Sequence, residues 1–169
     1  MIRSITLLAS AAVLAVPFGT RAQDEPSAPA FDDTRFVNGV AVGGLYGVYL
    51  SELTGPQTRN RDVRKFAVLM VKDHIAAKEE LAAVAKAAGV TLPTKLDAEY
   101  QKRYEAFKDY KGDDLERDYV KAMVKCHTDG VVAFAMASKA AKNPAVKEFA
   151  TKALPTLQKH LEMAKALEK

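Results

Sequence analysis

The 169 residues include one cysteine and no tryptophan and carry a net charge of +4, which excludes an internal disulfide and leaves stability to packing. Two of those charges, Arg3 and Arg21, lie in an N-terminal segment with targeting character. The remaining lysines alternate with acids along helical faces, the pattern of a solvated surface, so a nucleic-acid partner is excluded.

Residues 1–22 have the grammar of an export signal peptide: Arg3, an apolar run from Ile5 to Phe18, then Thr20-Arg21-Ala22 before Gln23. The run is too short, and too soon interrupted by Pro17 and Gly19, for a stable membrane span, and no Cys follows it to take a lipid. The expected product is a periplasmic or outer-membrane-associated protein, with retention of an uncleaved anchor as the alternative. Residues 23–31, containing DEPSAPA, read as a disordered linker, and residues 32–169 as one all-α domain.

The first predicted helix runs from Asp33 to Thr54, ended by Gly55-Pro56, and carries Gly39, Gly43 and Gly47 at four-residue spacing. Each glycine costs about 1 kcal/mol relative to Ala inside a helix. Close approach of a neighbouring helix would offset that cost, and Asn38 argues against a membrane-dimerisation stripe. The second helix, Asn60 to Ala88 with Gly89 as its stop, places Val63, Ala67, Met70, His74, Ala77, Leu81, Val84 and Ala88 at alternating steps of four and three. Such a stripe is a bundle seam.

Residues 90–113 form a crossover with a short helix bearing Tyr100, Tyr104 and Phe107, long enough to return the chain along a bundle. The third long helix, Asp114 to Ala141, buries Val120, Met123, His127, Val131 and Phe134. Asn143-Pro144 starts the fourth, whose seam is Val146, Ala150, Ala153, Leu157, His160, Ala164 and Leu167. Pro155 removes a hydrogen bond to the carbonyl of Thr151 and should bend this helix one turn before His160. The expected architecture is two helical hairpins joined by one crossover.

Two stretches, FAVLMVKDH at 66–74 and YVKAMVKCH at 119–127, repeat one pattern in a chain with only three histidines and five methionines. His74, His127 and His160 each lie on the apolar face of a different long helix. With a rise of about 1.5 Å per residue, His127 and His160 differ in height by roughly 3 Å across their short turn. His74, near the middle of its helix, reaches the same layer. Each has a methionine one turn away: Met70, Met123 and Met163. Imidazole with thioether suits Cu(I), while three imidazoles with an open position suit Zn(II) or Cu(II). Asp73 and Cys126 occupy equivalent places beside their histidines, as ligands or supporting groups. Core packing is the competing reading, since Met fills irregular helical cores and a buried neutral His with a backbone partner is ordinary.

Two enzymatic readings fail on spacing, and no catalytic residue is assigned. A di-iron carboxylate bundle needs Glu three residues before His, where this chain has Val71, Val124 and Leu157. Adjacent helical residues such as Cys126 and His127 point about 100° apart and make a poor nucleophile and base pair. A hydrolase using a His-bound metal and water lacks an evident general base.

The stretches FAVLMVKDH, YVKAMVKCH and FATKALPTLQKHLEMA together resemble a bacterial envelope family, the domain of unknown function numbered 4142, often labelled predicted outer membrane protein. The resemblance covers residues 35–168 and implies a ferritin-like four-helix bundle behind a signal peptide, with His74, His127 and His160 as pattern residues and no established activity. Two departures stand out: Cys126 where the family usually has Asp, and Gly47 near where it has Glu. If those acids belong to a metal site, this chain would take a softer ion or none. No alternating strands of a barrel are present, so the periplasm suits the sequence better than the outer membrane. The leading expectation is a non-catalytic envelope bundle binding copper or zinc. The alternative is a metal-free structural or interaction module of the envelope, stress-related, with another envelope protein or a second copy as partner.

Overall fold

The computed structural model describes residues 30–168. The expected signal peptide, and all but the last two residues of the expected linker, lie outside that range. Five helices follow in order: α1 (Asp33–Gln57), α2 (Arg61–Ala88), α3 (Ala98–Phe107), α4 (Gly112–Ala140) and α5 (Pro144–Leu167). No strand occurs among the described residues. No helix among them is long and apolar enough to cross a membrane.

The helix ends are chemically specified. Side chains of Asp32, Asn60, Asp97 and Asn143 each accept a hydrogen bond from a backbone amide of the first turn they cap, and Gly89 closes α2 with φ of 68°. Two boundaries differ clearly from expectation: α4 begins at Gly112 rather than Asp114, and α1 continues through Gly55-Pro56 to Gln57. A proline in the last turn forfeits only one hydrogen bond, to Glu52, which is exposed and can be solvated. The Gln57 side chain and the Thr58 amide then satisfy the carbonyls of Leu53 and Thr54. α5 likewise runs unbroken across Pro155.

α1 packs on α2 and α4, and α5 packs on α2 and α4. Every neighbouring pair is antiparallel, and the crossover carrying α3 connects two parallel helices on the bundle diagonal, the ferritin-like arrangement. α3 lies on α1 through Tyr100 on Tyr46 and Tyr104 on Tyr49, with ring centroids 4.9 and 5.5 Å apart. Carboxylates close both ends. Glu116 of α4 accepts from Thr58 Oγ1 and from the amides of Arg59 and Asn60 in the α1–α2 turn. At the opposite end Asp33 of α1 accepts from the amides of Lys142 and Asn143 in the α4–α5 turn.

The apolar interior is two clusters. One gathers Leu50, Phe66, Met70, Leu115, Tyr119 and Met123 near the α1–α2 turn. The other gathers Phe36, Leu81, Phe134, Val146 and Phe149 near the α4–α5 turn. Burying each such side chain contributes about 1.5–3 kcal/mol. Between the clusters, on every long helix, sits a polar or glycine position: Gly43 to Gly47 on α1, His74 on α2, His127 on α4 and His160 on α5.

Candidate functional site

The three imidazoles meet in that gap. Ring centroids are 5.7 Å apart for His74 and His127, 5.5 Å for His127 and His160, and 6.3 Å for His74 and His160. His127 and His160 are buried and His74 is half-buried.

Hydrogen bonds fix two of the rings. His127 Nδ1 lies 2.8 Å from the Met123 carbonyl, one turn back on its own helix. A carbonyl only accepts, so Nδ1 carries the proton and Nε2 presents a lone pair. His160 Nε2 lies 2.9 Å from Asp73 Oδ2 across the α2–α5 seam, so Nε2–H donates to the carboxylate. Among the described residues the other nitrogens, His127 Nε2 and His160 Nδ1, are buried without a partner, and so is His74 Nε2. Each imidazole therefore brings one unsatisfied ring nitrogen into the interior.

Burial is the main cause of the low pKa of His74, pushed down to about 4, with the neighbouring His127 and His160 adding to it and Asp73 opposing. His127 is also lowered to about 4, chiefly by burial, although its bond to the Met123 carbonyl works the other way. Both are neutral at pH 7, the state in which imidazole binds a metal.

The equivalence expected of Asp73 and Cys126 does not appear in space. Asp73 crosses to His160, whereas Cys126 packs against the cluster on the Met123 side of the layer. Burial first, and Asp129 second, push the Cys126 thiol up to about 11, so it is neither a thiolate nor a nucleophile at neutral pH. Met70 and Met123 are wholly buried in the same cluster, with Met163 against it. All three methionine side chains thus belong to, or pack against, the apolar cluster on one side of the histidines.

The glycine stripe has a role other than the expected close packing of helices. A Cβ on Gly39, Gly43 or Gly44 would meet nothing within 4 Å, and these residues line a groove of about 720 Å³ between α1 and α4. Only Gly47 is approached closely, and by a ring rather than a backbone: a Cβ there would lie 3.1 Å from His74 Nε2. The spacing that suggested a packing stripe was legible, but which face of α1 meets its neighbours was not.

The fit to a metal can be tested on these distances. Imidazoles bound at 2.0–2.1 Å to one tetrahedral ion hold their ring centroids about 5 Å apart, so the observed spacings are wider by roughly 1 Å or less. Two rings have their outer N–H held by a carbonyl and a carboxylate, the arrangement that orients metal-binding histidines. The nitrogens do not converge as they stand: among the described residues no set of three His, Cys, Asp or Glu side chains forms a ready metal site. The donor types and the held outer N–H groups fit an ion.

Comparison with known proteins places the chain by family and fold. The family model described as Domain of unknown function (DUF4142) matches residues 18–167, and the chain belongs to that family. A solved structure, the crystal structure of a DUF305 fragment from Deinococcus radiodurans, superposes with a TM-score of 0.69 at 15% identity, covering 83% of this chain and 98% of the other. This likeness shows the helical fold alone. No curated protein matches the chain.

Proposed function

We propose that the histidine layer is a transition-metal site, taking copper or zinc, in a non-catalytic protein of the cell envelope. The observation that carries the reading is the trio of buried, unpartnered ring nitrogens at one level of the bundle. An unsatisfied buried polar atom costs about 1–3 kcal/mol. Three together are a cost that ordinary core packing avoids and that an ion would remove. His74, His127 and His160 would hold the metal; Asp73 and the Met123 carbonyl would orient two of them; Met70, Met123 and Met163 are soft donors in or against the adjoining cluster. When bound, the ion would supply a Lewis-acidic centre with an open position. Export rests on the N-terminal apolar run from Ile5 to Phe18.

The test is elemental analysis of untagged protein exported by its own N-terminus, beside the His74→Ala, His127→Ala and His160→Ala variants. The expected result is copper or zinc approaching one equivalent, falling at least about tenfold in each variant. Metal-free wild type that also fails to gain melting temperature on adding either ion overturns the reading.

One observation favours the alternative of a metal-free structural layer: the ring nitrogens do not point at a common centre. On that reading His127→Leu leaves stability unchanged or raises it, because the replaced nitrogen was unsatisfied, and added metal does nothing.

A further inference from the structure

Gly39, Gly43 and Gly44 weaken α1 by about 1 kcal/mol each relative to Ala, and among the described residues no neighbour uses the room they leave. That room is the groove of about 720 Å³, within the range of roughly 300–1,000 Å³ typical of small-molecule sites. Its walls are apolar and partly aromatic. Phe134 packs at 5.0 Å from Phe36 and 5.7 Å from Phe149, ring centroid to centroid, and Val40, Ala133 and Leu157 extend the same surface. A second, independent feature stands at the level of the histidine layer, where His127 lines the groove. It is 4% exposed, and its Nε2 has no partner.

We propose that this groove binds a neutral aromatic molecule bearing a hydrogen-bond donor, of the phenol or hydroxynaphthalene type, with its rings along the glycine face of α1 and its hydroxyl donating to His127 Nε2. The donor is required because the bond from Nδ1 to the Met123 carbonyl leaves Nε2 as an acceptor. Neutrality follows from the lining. Among the described residues that form it, the charged ones are Arg35, Asp32 and Asp129, all exposed at its rim, so neither an anion nor a cation would find a buried counter-charge. An aromatic body suits the phenylalanine edges and a slot beside a helix without side chains. The inference concerns the metal-free layer and stands or falls separately from the metal reading.

The test titrates the full chain, in buffer containing a chelator, with 2-naphthol and with 2-methoxynaphthalene, which keeps the rings but loses the donor. Calorimetry should give saturable one-to-one binding of 2-naphthol, at least about tenfold tighter than the methyl ether, the size of one hydrogen bond to a buried acceptor. Gly43→Leu and, separately, Gly39→Leu should fill the slot and weaken 2-naphthol at least about tenfold while leaving the melting temperature equal or higher. Absence of saturable binding, equal affinity for the two probes, or unchanged affinity in both leucine variants overturns the proposal.

Discussion

Where α2 meets α5, Asp73 crosses to His160 at 2.9 Å and the seam is closed by a polar bond. Where α1 meets α4, the corresponding level holds Gly43, Gly44 and Gly47, and a groove runs down to His127 and His74. The two seams serve one layer in opposite ways. One fixes ring orientation from behind, and the other leaves a way in from the front. A purely structural layer would gain from closing both, because unfilled space forfeits dispersion contacts and leaves buried nitrogens unpaired.

The largest expected effect tests the neutrality of the two rings at the open seam, His74 and His127. His74 and His127 titrate near 4 in the folded chain, against about 6.5 when unfolded. Between those values the unfolded chain binds more protons. Their contribution is therefore complete above about pH 6.5 and lost as pH falls toward 4, by up to about 1.4 kcal/mol per pH unit for each group. Denaturant titrations from pH 8 to about 4.5 should show a loss of several kcal/mol. A flat profile would mean that the rings are solvated, and the layer would lose its distinction from a surface.

Next in size is Gly47→Leu on the open seam. A Cβ at 3.1 Å from His74 Nε2 forces the ring aside. Overpacking should exceed the gain in helix propensity and cost about 2 kcal/mol net, with metal uptake lost. Asp73→Ala on the closed seam should cost about 1–2 kcal/mol by leaving the His160 N–H unsatisfied. It should also weaken any bound metal by roughly 10- to 100-fold. Asp73→Asn, which still offers an accepting oxygen, should recover much of both; equal loss in the two variants would show that Asp73 acts through its charge rather than through this bond. The smallest effect has the opposite sign. Gly43→Ala, with nothing near its Cβ, should stabilise the chain by about 1 kcal/mol. Destabilisation there would show that the groove is closed in solution and that the two seams are alike.

Much of this was legible from spacing. Steps of four and three place His74, His127 and His160 on seams, and the rise per residue puts them at one height whichever way the second hairpin runs. What failed was reasoning from position alone to a neighbour. Asp73 and Cys126 precede their histidines identically, yet only Asp73 meets one, because Asp73 faces α5 and His160, whereas Cys126 lies toward Tyr46 and Tyr100 on α1 and α3, which carry no histidine. Gly39 and Gly43 match a close-packing stripe, but the face they define turns to a groove. Gly55-Pro56 reads as a stop, but a proline in the last turn has little left to break.

The sequence by itself determined the helices, their caps, the crossover and the common level of the three imidazoles, because each depends on local periodicity and on hydrogen bonds within a few residues. Only the tertiary structure decided which ring nitrogen is held and which is left free, which acid stands behind the layer, and that the glycines open space rather than close it. Those depend on the rotation of each helix about its axis and on the identity of its neighbour, which are set by packing the two apolar clusters together and not by any one helix.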